Sequence, residues 1–158
     1  MHVPLKVDYG VRALVDLGLY GNGGSIRAVE IASRTGIPEA YLAQVLLGLN
    51  KAGLVRSLRG PQGGHSLAKE ASNIRLSTVM ACLGGPDTLV QCIRDTSLCV
   101  HVPTCAQREV WLSIEKSVFT ILDTTTIADL VARTRDIELV DAEDLASKEP
   151  DVLVLETK

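Results

Sequence analysis

The stretch RAVEIASRTGIPEAYLAQVLLGLNKAG, Arg27 to Gly53, decides the fold. Its first part places Val29, Ile31 and Ala32 on the inward face of a short helix over Ala28–Arg34. Thr35-Gly36-Ile37 then makes a tight turn. Pro38 suits the first position of a second helix, where its missing N–H would have had no intrahelical partner anyway. That helix is expected to run to about Ala52, with Gly53 at its end. Short helix, glycine-containing turn, longer helix is the helix-turn-helix pattern.

Working outward, Asp8–Tyr20 repeats apolar residues at helical spacing and stops at Gly21-Asn22-Gly23-Gly24. After Gly53, Leu54–Leu58 alternates like a strand. Arg59-Gly60-Pro61-Gln62-Gly63-Gly64 turns the chain, and His65–Ala68 returns as a second strand, a hairpin wing. Ser77 can cap a short helix ending at Leu83, before Gly84-Gly85-Pro86. Gln91–Cys105 has no periodicity and reads as a loop. From beyond Pro103 to about Leu122, Ala106, Val110, Ile114, Val118 and Ile121 form one apolar stripe. Thr126 with Asp129 makes a capping box for a further short helix, and a loosely ordered acidic tail is expected from Asp136.

The fold class is therefore mainly α with a small β-hairpin wing: a winged helix-turn-helix domain plus a long dimerisation helix. The expected division is DNA-binding domain 1–83, cysteine loop 84–105, dimerisation and short helices 106–135, and tail 136–158. A composition of 46% hydrophobic but only 3% aromatic residues asks for a core of Leu, Val, Ile and Ala. The net charge of −3 hides an asymmetry. Residues 1–80 carry nine Lys and Arg against five Asp and Glu, whereas 81–158 carry seven against fourteen. An anion-binding surface confined to the front half follows. With no signal peptide or membrane span in the pattern, a cytoplasmic protein is expected.

Recognition of DNA needs side chains on the first half of the second helix, and that half offers Glu39, Tyr41 and Gln44. Gln44 suits adenine and Tyr41 suits phosphate. Arg27 and Arg34 lie where backbone phosphates would pass, and Arg59, Gly60, Gln62 and Gly63 form the wing tip, with Arg59 suited to a narrow minor groove. Helix-turn-helix units also serve as plain packing units, and glycine-rich turns punctuate all hairpins. A protein–protein adaptor is thus the rival reading.

Cys92, Cys99 and Cys105 form a C-x6-C-x5-C run. Zinc sites favour closer pairs, while thiolates spread over a loop of small and polar residues suit an iron–sulfur cluster. Three cysteines need a fourth ligand, and His101 is the local candidate. The same cysteines can instead pack or form reversible disulfides. Cys82 reads as inert packing and Trp111 as buried between helices; His2 and His65 have no partner the sequence names. There is no G-x-S-x-G, Walker lysine or H-E-x-x-H, so an enzyme is not expected.

Four stretches carry a resemblance: Asp8-Tyr9-Gly10-Val11-Arg12-Ala13-Leu14, Ile37-Pro38-Glu39-Ala40-Tyr41-Leu42, Leu49-Asn50-Lys51-Ala52-Gly53-Leu54-Val55 and Arg59–Gly64, followed by the three cysteines. With them the chain, from about residue 2 to 135, resembles the iron–sulfur-cluster-responsive winged-helix transcription regulators typified by IscR, NsrR and RirA. The resemblance implies a homodimer on imperfectly palindromic double-stranded promoter DNA, with Arg59 in the minor groove. It also implies a 2Fe–2S or 4Fe–4S cluster on Cys92, Cys99 and Cys105. IscR-like members carry a histidine ligand three residues after the last cysteine, where this chain has Arg108, which cannot coordinate iron. NsrR-like members use an aspartate of the other subunit, and Asp8 matches it, with His101 in reserve. Asp8 equally suits a helix N-terminus as a plain charge. Ala43 stands where IscR-like members have a glutamate that ties promoter choice to cluster state. The combined expectation is a cluster-sensing repressor responding to nitric oxide, redox state or iron–sulfur supply, with no membrane partner and no small-molecule substrate. The alternative is a cluster-free regulator controlled by thiol oxidation or a partner protein.

Overall fold

Helix α1 (Leu5–Tyr20) crosses α2 (Ala28–Thr35) and α3 (Glu39–Lys51), and the hairpin β1 (Val55–Leu58) and β2 (Gly64–Leu67) follows. The computed structural model describes residues 3–60, 63–85, 88 and 90–146, without side chains for 141–146. Next come α4 (Leu76–Cys82), the single turn α5 (Gln91–Arg94), the long α6 (Ala106–Thr124) and α7 (Ile127–Ala146). The strands pair antiparallel, Val55 opposite Leu67 and Leu58 opposite Gly64. A mainly helical fold with a two-stranded wing is what the periodicities require.

One core joins both ends of the chain. Leu14, Ile31, Leu42, Leu46, Leu49, Leu54, Ile74 and Val79 are buried together with Ile127 and Val131 of α7. Helix α7 can lie this close to α1 because Gly18 has no side chain: a Cβ there would stand 2.7 Å from Cγ2 of Val131. The start of α7 is also stitched to the chain before α4, where the Ile127 N–H donates to the Ile74 carbonyl at 2.9 Å. Burial of aliphatic surface of this kind is the main favourable term in folding.

Several local expectations are corrected. Helix α1 starts at Leu5, because Pro4 takes the N-cap and fixes the entry. Pro38 is likewise the N-cap of α3 and not its first residue. Val29 is 49% exposed; it lies about 200° around the helix from Ile31 at 3.6 residues per turn. Ser77 does not cap α4, whose N-cap is Arg75; its hydroxyl donates instead to Asp123 of α6 at 2.8 Å. The cysteine segment contains α5 and 3-10 turns at Thr96–Leu98 and Val102–Thr104. Trp111 is exposed, since nothing among the described residues covers that side of α6.

The largest correction concerns α7. The expected capping box is present: the Thr126 N–H donates to Asp129 at 2.8 Å and the Asp129 N–H to Thr126 Oγ1 at 3.2 Å. The helix then continues to Ala146, so residues 136–146, expected in the tail, are helical. Alanine, leucine and glutamate are strong helix formers, and neither Gly nor Pro interrupts before Pro150. The rest of the expected tail lies outside the described residues. No helix among the described residues is long and apolar enough to cross a membrane.

Candidate nucleic-acid interface and cysteine loop

Leu42, Val45, Leu46 and Leu49 turn one face of α3 into the core. The opposite face carries Ala40, Ala43, Gln44, Leu47 and Lys51, all exposed, with Glu39 exposed at the helix start. Tyr41 is on neither face. Half-buried, its ring meets that of Tyr9 edge-on, with centroids 5.4 Å apart, so it wedges α3 against α1. Arg27 caps α2 and pairs with Glu30 at 2.6 Å; hydrogen bonds from Arg27 hold the Glu30 carboxyl below its ordinary range. Arg34 is more firmly engaged. Its Nε and Nη2 donate to the buried Asp16 carboxylate at 2.7 and 2.8 Å, and its guanidinium lies 4.5 Å from the Tyr20 ring centroid. Two of its nitrogens are thereby committed to locking α2 onto α1.

The wing is anchored at its base. Ile26 pairs with His65 through two backbone hydrogen bonds of 2.8 and 2.7 Å, an extra bridge beside the hairpin. Asn50, at the end of α3, donates to the Val55 carbonyl at 3.0 Å and reaches Ser57 Oγ at 3.4 Å. Ser57 Oγ in turn meets His65 Nδ1 at 3.0 Å. Burial holds the His65 pKa down and so favours the neutral ring, whose tautomer sets which of the two groups donates. Asn50, Ser57 and His65 thus tie α3 to both strands of the wing. Arg59 is exposed just beyond β1. Gly60 has φ +114, a conformation that disfavours any side chain, and a Cβ on Gly63 would strike the Leu58 carbonyl. Pro61 and Gln62, the latter a candidate DNA contact, lie outside the described residues.

The cysteine loop is looser. Cys92 lies in α5, Cys99 follows the first 3-10 turn, and Cys105 is the N-cap of α6. All three are free, partly exposed thiols. Among the described residues no three Cys, His, Asp or Glu side chains come together as a metal site. His101 is exposed. The Asp8 carboxylate pairs with Arg12 at 2.8 Å, one turn along α1. The donors nonetheless suit an iron–sulfur cluster in kind. Three thiols sit on one segment, and Cys105 stands at a helix N-terminus, where negative charge is favoured. Arg108 Nε is buried without a hydrogen-bond partner, and Arg108 and Cys105 line the same cavity of about 300 Å³. Cys82 is different: its thiol donates to the Val79 carbonyl, and burial pushes its pKa up, as inert packing requires.

Helix α6 has no buried residue. Val110, Trp111, Leu112, Ile114, Phe119 and Ile121 are all exposed on it.

Over residues 4–133 the chain matches the family described as "Rrf2: Iron-dependent Transcriptional regulator". It belongs to the Rrf2 family. The IscR regulator of Vibrio atlanticus is 30% identical over 145 residues, covering 92% of this chain and 83% of that protein. The structure of T. potens IscR superposes with a TM-score of 0.68 at 33% identity, covering 85% of this chain and 88% of that one. CymR of B. subtilis, titled the global cysteine regulator, superposes with a TM-score of 0.72 at 31% identity, covering 84% and 98%. The chain is thus a winged-helix, DNA-binding transcription regulator of the Rrf2 family and not an enzyme. The Asn50–Ser57–His65 tie escapes a sequence reading, because polar residues 7 and 8 positions apart give no periodic signal. The only cue is that Ser57 and His65 fall opposite each other once the hairpin register is drawn.

Proposed function

We propose that this Rrf2 regulator is a cytoplasmic homodimer, most simply a repressor, whose hold on double-stranded promoter DNA is set by an iron–sulfur cluster on Cys92, Cys99 and Cys105. The observation that carries the reading is the position of these three free thiols, on the segment leading into the exposed apolar face of α6. A second copy packing on the Val110, Ile114 and Val118 stripe would bury that face and give two α3 helices about one DNA turn apart. Gln44 and Glu39 then read bases, Arg59 with Gly60, Gln62 and Gly63 enters the minor groove, and Arg27 grips phosphate. Arg34 and Tyr41 position the helices that carry these groups. Asp8 of one protomer is the candidate fourth ligand to the partner's thiols, with His101 in reserve; to serve, Asp8 must leave Arg12. The cluster would supply sensitivity to nitric oxide, oxidant or iron–sulfur supply, and no small-molecule substrate is needed.

Anaerobic purification and reconstitution test this. A brown protein whose visible absorbance is lost in Cys92→Ala, Cys99→Ala and Cys105→Ala is expected; a colourless wild type would overturn the cluster. Unchanged promoter affinity in Arg59→Ala would overturn the wing's role. The likeness to CymR favours a second reading, in which the same partly exposed thiols control DNA binding without metal. A colourless protein whose affinity follows thiol oxidation would establish it.

A further inference from the structure

Beside the outer face of α3 lies a notch of about 560 Å³ lined by Lys6, Gln44, Leu47, Gly48, Lys51 and Cys82. Its lining contains two ammonium groups and no carboxylate, and neither lysine is in an ion pair among the described residues. Lys6 sits at the second position of α1. A cation there opposes the positive end of the helix dipole, which a nearby anion would offset. Gly48 opens the notch: a side chain in its place would meet Leu83 at 2.9 Å and Lys6 Cε at 4.0 Å.

Lys51 shares the outer face of α3 with Gln44. Seven residues at 1.5 Å each separate them by roughly 10 Å along the axis. A major groove is about 12 Å wide. With Gln44 at base edges, Lys51 therefore arrives at the groove wall, where the phosphates run, and Lys6 approaches from α1 on the far side of the notch.

We infer that Lys6 and Lys51 together hold one backbone phosphate of bound DNA, fixing how far α3 enters the groove. This rests on the DNA-binding reading of α3, and the two fail separately. The test is equilibrium titration of wild type, Lys6→Gln, Lys51→Gln and the double variant with a promoter duplex and a scrambled duplex over a range of salt. Because each protomer of the dimer loses one phosphate contact, the slope of log affinity against log salt should flatten by about two in the double variant, weakening both duplexes by the same factor. Gln44→Ala should instead weaken the promoter duplex more than the scrambled one. Unchanged slope and affinity in the double variant, with the Gln44→Ala effect intact, would overturn the notch and leave the α3 reading standing. A wild type that binds neither duplex would overturn both. Stabilisation of wild type by inorganic phosphate, lost in the double variant while the DNA slopes stay equal, would show a small-anion site and also overturn the proposal.

Discussion

Around α3 every element is held by something within the same chain. Aliphatic side chains of α1, α2, α4 and α7 seal the core, Asp16 clamps Arg34, and Asn50, Ser57 and His65 moor the wing. Along α6 the reverse holds. None of its 19 residues is fully buried, only Leu122 packs partly against the core among the hydrophobics of the helix, and near its end Asp123 accepts from Arg75 and Ser77. The reading head is complete in one protomer, whereas the α6 region has the apolar surface of an element still lacking its partner. Under the proposed function, sensing and reading would thus lie in parts with different reasons to be rigid.

That contrast can be broken first at its strong end. Leu46, 1% exposed, should cost about 2–5 kcal/mol when truncated to alanine, seen as an earlier urea midpoint. Ile114→Glu should leave the helical circular dichroism of the protomer intact but yield monomers in sedimentation. If it unfolded the chain instead, α6 would not be a separate, partner-seeking element. Next in size is Asp16→Ala, which strands the Arg34 guanidinium. About 1.5–3 kcal/mol should be lost, the range for hydrogen bonds to charged groups, again read by urea.

Smaller effects sharpen the reading head itself. Ser57→Ala should cost about 1 kcal/mol or less, and in its background Arg59→Ala should weaken promoter binding less than it does in wild type. Equal losses would show that the Ser57 tie does not position the wing. The smallest effect is one of pH. Burial depresses the His65 pKa below its ordinary 6.5, so just below that pH the unfolded chain binds more protons than the folded one. The His65 contribution is therefore full above pH 6.5 and declines as pH falls toward the folded value. His65→Asn should remove part of the fall in melting temperature between pH 7 and 5.5; an unchanged profile would contradict the assignment.

The sequence made the head legible because its signals are local. Gly36 and Gly53, both at positive φ, mark the helix ends, and Ile31, Leu42, Leu46 and Leu49 keep the helical period. It misled at Val29 and Trp111, where apolar character was equated with burial; neighbouring elements decide that, and among the described residues α6 has none on one side. It cut α7 short because acidic residues read as tail, although Asp129 caps the helix and Val131 reaches the core beside Gly18. At the site, Gln44 and Arg59 were visible as exposed candidates. The commitments of Arg34 to Asp16 and Tyr41 to Tyr9 depend on side chains distant in sequence. The cysteines announce a donor set without showing how it is gathered.

In the proposed function the thiol loop governs the reading head. Promoter affinity of the same anaerobic preparation, measured before and after cluster reconstitution, tests it most directly. A change of roughly 5–150-fold, the range of ordinary coupling between sites, absent in Cys99→Ala, is expected. Identical affinities in a dimer that carries the cluster would contradict it.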